Sequence, residues 1–136
     1  MTLNDATWLV LGLALGIALI LYARNRGRSE KTILAIGLIV AALIYVGFAL
    51  IWGDATWFFI ELAGVPVYGM FYWLSVRFSF LWLAIGWVAH PVWDIFLHLK
   101  GPGHIVAPEW YAVACISFDI LVAAYIVASI SKWRTT

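Results

Sequence analysis

Charge is the scarcest property of this 136-residue sequence: only 11% of its residues are Asp, Glu, Lys or Arg, where a soluble domain carries about a quarter. Too little polar surface remains to cover a water-soluble fold. With 65% of residues hydrophobic, lipid must be the solvent for much of the chain. Cysteine is almost missing. The single Cys115 excludes a disulfide framework and a zinc cluster built on cysteines. A net charge of +1 and the lack of a long basic patch argue against nucleic acid as a partner. Internal repeats and low-complexity tracts are also missing. A single transmembrane domain over 1–136 is therefore expected, with no room for a separate soluble module.

Long apolar runs are what the sequence has in quantity. Backbone groups in hydrocarbon must bond within their own segment, so each run is expected to be a helix. Runs at about 7–23 and 32–52 are each long enough to span, and a third covers about 109–131. The stretch 55–98 is about right for two spans. Ser75-Val76-Arg77-Phe78-Ser79 is its most polar interruption, which gives helices at about 55–75 and 78–98. Gly101, Pro102, Gly103 and Pro108 punctuate a loop over 99–108. The expected fold is an all-α bundle of about five transmembrane helices.

Orientation follows from the basic residues. Five crossings put Arg24, Arg26, Arg28, Lys31, Arg77, Lys132 and Arg134 on one side and Lys100 on the other. The positive-inside rule then predicts an N-terminus outside and a cytoplasmic C-terminus. The start, Met1-Thr2-Leu3-Asn4-Asp5, has no positive region ahead of the apolar run, so the first run is read as a retained helix and not a signal peptide. Gly12 with Gly16, and Gly37 with Ala41, have the small-xxx-small spacing of close helix packing.

Ionisable residues inside the apolar runs carry the functional signal. His90, Asp94 and His98 are four apart and share one face of the fourth helix with a modest drift per turn. Gly86 continues that face. Glu61 lies about six residues into the third helix and Asp119 about eleven into the fifth, roughly 9 and 16 Å deep at 1.5 Å per residue. His90 lies at roughly 12 Å by the same rule and Asp94 is shallower. All four are expected in the outer half of the bilayer. Tyr111 and Cys115 extend the stripe of Asp119, and Pro66 and Pro91 interrupt helices three and four, each freeing a carbonyl. Together these features predict a polar pocket between helices three, four and five that opens outward.

Three chemistries fit such a pocket. His90, Asp94 and His98 with Glu61 and Asp119 offer a nitrogen and oxygen ligand set suited to a divalent metal: zinc, iron or manganese. The spacing is not that of a zincin, whose glutamate adjoins its first histidine. Alternatively, burial favours the neutral form of the carboxyls, which can then move protons on a substrate double bond, with aromatic faces to stabilise a cation. The same residues suit a proton or ion pathway. Finally, the cluster can be interhelical glue in a structural or partner-binding subunit, although interhelical hydrogen bonds in membranes average only about 0.6 kcal/mol. The leading expectation is a membrane-embedded enzyme acting on a lipid or other apolar substrate. Glu61, His90, Asp94 and Asp119 would be its catalytic core, with His98 and Cys115 peripheral. Taken alone, His98 reads as an interfacial histidine and His104 as a solvated loop residue. Trp52, Trp110 and Trp133 read as interfacial belt residues, Glu109 as a helix N-terminal carboxylate, and Asp54 with Gly53 as a turn.

Ile60-Glu61-Leu62-Ala63-Gly64-Val65, Gly86-Trp87 with His90, Trp93, Asp94 and His98, and Pro108-Glu109-Trp110-Tyr111 with Cys115 and Asp119 form a wider pattern. This pattern resembles a family of small, uncharacterised bacterial multi-pass membrane proteins and covers roughly the second half of the chain. The resemblance implies a bacterial membrane location and no established activity.

Overall fold

Caps and turns divide the chain where its polarity changes. The computed structural model of the protein describes residues 2–134. Thr2 and Asp5 cap each other across the first turn of helix α1 (Leu3–Asn25), satisfying donors that a helix start leaves unpaired. Gly27, with φ of 55°, makes the left-handed turn that a side chain would resist, and a short 3-10 turn leads into α2 (Glu30–Trp52). The Asp54 carboxylate accepts the Trp57 backbone N–H at 2.9 Å and starts α3 (Ala55–Arg77). The Phe78–Phe80 turn leads to α4 (Leu81–Trp93), which continues into a π-helical segment, Asp94–Leu99. A 3-10 turn at Pro102–Ile105 precedes α5 (Glu109–Arg134).

Each of the five expected segments thus holds one helix, and no strand occurs among the described residues. Among the described residues, four helices are long and apolar enough to cross a membrane. In α4, α-geometry covers thirteen residues before the π segment takes over. Apolar side chains also cover the outside: Val10, Leu50, Phe59, Trp73, Ile120 and Val127 are all more than half exposed. An exterior of this kind suits lipid and is consistent with a membrane location.

The prolines do less than their positions suggest. Pro66 sits inside an unbroken α3, and Pro91 lies within α4, where α-geometry persists to Trp93. The departure comes just after Pro91, where the Lys100 N–H reaches back five residues to the Ile95 carbonyl at 2.9 Å.

Helix α1 packs mainly on α5, α2 on α3, and α4 on both α5 and α3. A Cβ at Gly12 would run into the Ala114 carbonyl oxygen, so this glycine sets how closely α1 and α5 approach. The Ser117 hydroxyl donates to the Leu9 carbonyl at 2.7 Å across the same seam. An apolar core of Leu34, Leu38, Leu83, Trp87, Val122 and Ile126 fills the half of the bundle nearer the basic turns, and all six are inaccessible to solvent. Within it the Trp87 indole donates to the Leu34 carbonyl at 3.2 Å. At the basic end Glu30 is buried and accepts bonds from the Tyr125 hydroxyl and from Trp133 Nε1 at 3.2 Å, tying the start of α2 to the end of α5. The polar cluster occupies the opposite half, beneath the 94–108 connection.

Candidate metal centre

His90 projects from α4 and Asp119 from α5, and their side chains meet directly: His90 Nδ1 lies 2.8 Å from Asp119 Oδ2. One turn further along, Asp94 Oδ2 lies 3.5 Å from the same nitrogen. One ring nitrogen carries at most one proton, so the shorter contact takes the hydrogen bond and Asp94 is left without one. Both Asp94 oxygens and Asp119 Oδ1 are buried with no partner. Solvent does not compensate, because His90, Asp94 and Asp119 are exposed by only 1%, 0% and 1%. One ligand atom from each of the three lies within 4.8 Å of the others, the spacing of a shared cation.

The other two expected ligands form a separate pair. His98 Nδ1 lies 3.0 Å from the Gly103 carbonyl, which can only accept, so Nδ1 carries a proton. His98 Nε2 is 2.7 Å from Glu61 Oε1, although not aligned as a hydrogen bond. With Nδ1 already protonated, this contact is attractive only if a further proton sits on the imidazole or on the carboxyl. Trp93 Nε1 donates to the other Glu61 oxygen at 3.2 Å. The five-residue ligand set expected from the sequence therefore falls into a triad, His90–Asp94–Asp119, and a close pair, Glu61–His98.

His98 is thus enclosed by protein: it is 2% exposed. The π segment accounts for this. In an α-helix residues four apart drift forward by about 40° per step, at roughly 100° per residue. The wider π turn advances less per residue, so His98 is carried back toward the interior. The loop then folds over it. Gly103 lies so close to Leu97 and Trp57 that a Cβ would fall within 2.9 Å of the Trp57 ring. His104 stays exposed.

Two residues that sequence reasoning passed over complete the cluster. Tyr45 of α2 stacks on His98, with ring centres 4.7 Å apart, and tilts against His90 at 5.5 Å, so it joins the triad to the pair. Its buried hydroxyl, like the Asp94 carboxylate beside it, has no aligned partner. Tyr68 of α3 covers the far face of His90 at 5.2 Å. The available signal was a phenol in an otherwise apolar span, since a buried tyrosine hydroxyl usually has a polar neighbour.

A cavity of about 440 Å³ lies between α1, α2, α4 and α5. Tyr111, Cys115 and Asp119 line its α5 side. Cys115 is buried there, so the Tyr111–Cys115–Asp119 stripe runs along this cavity.

The family model that matches this chain is that of a family of unknown function, DUF6010, over residues 7–132. The chain belongs to that family. No curated protein and no solved structure matches it.

Proposed function

We propose that this member of the DUF6010 family is a membrane-embedded, metal-dependent enzyme acting on a lipid or other apolar substrate. His90, Asp94 and Asp119 hold the divalent cation. The observation that carries this reading is the set of partnerless carboxylate oxygens on Asp94 and Asp119 within reach of His90. A buried acceptor left unmade costs about 1–3 kcal/mol, and more when charged. Glue between helices would give the Asp94 carboxylate an aligned donor. A cation held by one atom from each of the three residues would give both carboxylates a partner and offset two buried negative charges.

One imidazole and two carboxylates suit zinc, iron or manganese and leave coordination positions for a substrate or water. Such an ion polarises a carbonyl or activates water. Glu61 and His98, with their shared proton, are the acid–base pair, and Trp93 and the Gly103 carbonyl hold them in place. In this reading the basic turns face the cytoplasm, the N-terminus lies outside, and the membrane is the bacterial inner membrane.

Proton or metal-ion transport is the second reading. It needs a polar route past the triad, but no ionisable side chain lies between Arg77 and His90. The solvent-inaccessible core of Leu34, Leu38, Leu83 and Trp87 also lies on that side.

Elemental analysis of the purified protein, prepared with zinc, iron(II) or manganese supplied, tests the proposal. The native chain should carry one equivalent of metal and the His90→Ala variant none. A native chain without metal, or metal retained by His90→Ala, would overturn it.

A further inference from the structure

The cavity beside Asp119 is open on one side, and that side faces lipid. Helix α1 is held on α5 by Gly12 and the Ser117–Leu9 hydrogen bond, while it meets α2 only sparingly. The two helices come together where Leu19 nears Gly37, and from there toward the loop end they stand apart. Leu15 of α1 and Val40 and Ile44 of α2 form the rim, exposed by 51%, 45% and 38%. Trp87 and Phe118 wall the interior, with Cys115 and Asp119 beside them. At about 440 Å³ the space is within the range of roughly 300–1,000 Å³ seen for small-molecule sites.

We propose that this crevice is the substrate port, taking one extended hydrocarbon chain, acyl or isoprenyl, sideways from the bilayer between α1 and α2. The inference deepens the enzyme reading and rests on it for the role of Asp119. Depth selects the occupant. The α5 wall runs from Trp110 to Asp119, nine residues or roughly 14 Å along a helix. A headgroup anchored near Trp110 cannot follow its chain to Asp119 without losing its hydration, which is costly for any polar group. What reaches the triad is therefore the middle of a chain, and chemistry takes place at an internal carbon or double bond and not at the headgroup. The wall composition agrees: apart from Tyr111, Cys115 and Asp119, every lining side chain is apolar or is glycine.

Photolabelling of the full chain in lipid vesicles tests this. One probe is a phosphatidylglycerol with a diazirine in the middle of one acyl chain; the other is a long-chain prenol bearing a diazirine. At least one probe should label crevice residues saturably, be displaced by its own unlabelled chain, and lose about tenfold in apparent affinity, or about 1.4 kcal/mol, in Leu15→Trp or Val40→Trp. Both positions are lipid-exposed, so the added ring fills the gap without entering the core. Saturation by one probe only identifies the chain type. If neither probe saturates, and the crevice is labelled no differently from Phe59 and Trp73 on the exposed face of α3, the port is refuted. Metal content measured on the same samples separates the two ideas. Bound metal without saturable labelling overturns the port alone, and saturable labelling without metal sustains the port while overturning the metal enzyme.

Discussion

Replacing Asp94 with leucine should make the metal-free protein more stable and abolish its response to metal. The Asp94 carboxylate is fully buried and neither oxygen has an aligned hydrogen bond: His90 Nδ1 is engaged by Asp119, and the Tyr45 hydroxyl beside it is not aligned. An unsatisfied buried acceptor costs about 1–3 kcal/mol, and replacing such a group by an apolar one of similar size is often stabilising. The chelated variant should therefore gain about 1–3 kcal/mol over the chelated native chain. Metal at a hundredfold excess over its dissociation constant adds about 2.7 kcal/mol to any protein that binds it only when folded. The native chain should receive that increment and Asp94→Leu should not, so the order of stability reverses or closes on adding metal. Unfolding by dodecyl sulfate in mixed micelles, followed by circular dichroism with chelator and then with each metal, measures both differences. A loss of about 3–5 kcal/mol in chelator would place Asp94 in an intact buried pair, because breaking such a pair costs that much. The site argument would then fail, and the cluster would be interhelical glue.

Glu30→Ala should cost about 1–3 kcal/mol by removing the buried carboxylate that accepts from Tyr125 and Trp133, with metal content unchanged, since Glu30 belongs to the opposite end of the bundle. Unfolding in micelles together with elemental analysis checks both halves of that statement. Gly12→Val should lose about 1–3 kcal/mol or more through overpacking, because its Cβ meets the Ala114 backbone, which cannot move aside as a side chain can. The same titration reads it, and native-like stability would mean that α1 and α5 can separate freely.

Much of the bundle could be read from composition and charge, because both act residue by residue. Apolar runs mark helices whatever their neighbours, and Ser75 to Ser79 marks the turn between α3 and α4. His90 and Asp119, expected at similar levels, do meet, which follows from regular rise along straight helices. Regular rise could not anticipate that His98 would be enclosed, since a six-residue π segment depends on the tertiary setting of Asp94–Leu99 and not on any local propensity. Tyr45 was passed over because α2 looked generic, although its phenol is the contact that links the two polar groups. The cavity beside Asp119 could not be anticipated, because it depends on side-chain shape and on the splay of α1 from α2.

The pairing of α1 with α5 bears on how the molecule comes into being. Of these five helices α1 leaves the ribosome first, yet its main partner, α5, is the last of the five to follow. The Ser117 bond to Leu9 spans 108 positions, and Glu30 waits 95 positions for Tyr125. His90 likewise meets no acid from another helix until Asp119 arrives. Until α5 is made, the four earlier helices therefore have an unmatched small-residue seam and unmatched charged side chains, a state open to quality-control proteases. Docking of α5 closes the seam, the knot at Glu30 and the triad together, so scaffold and candidate site mature in one step.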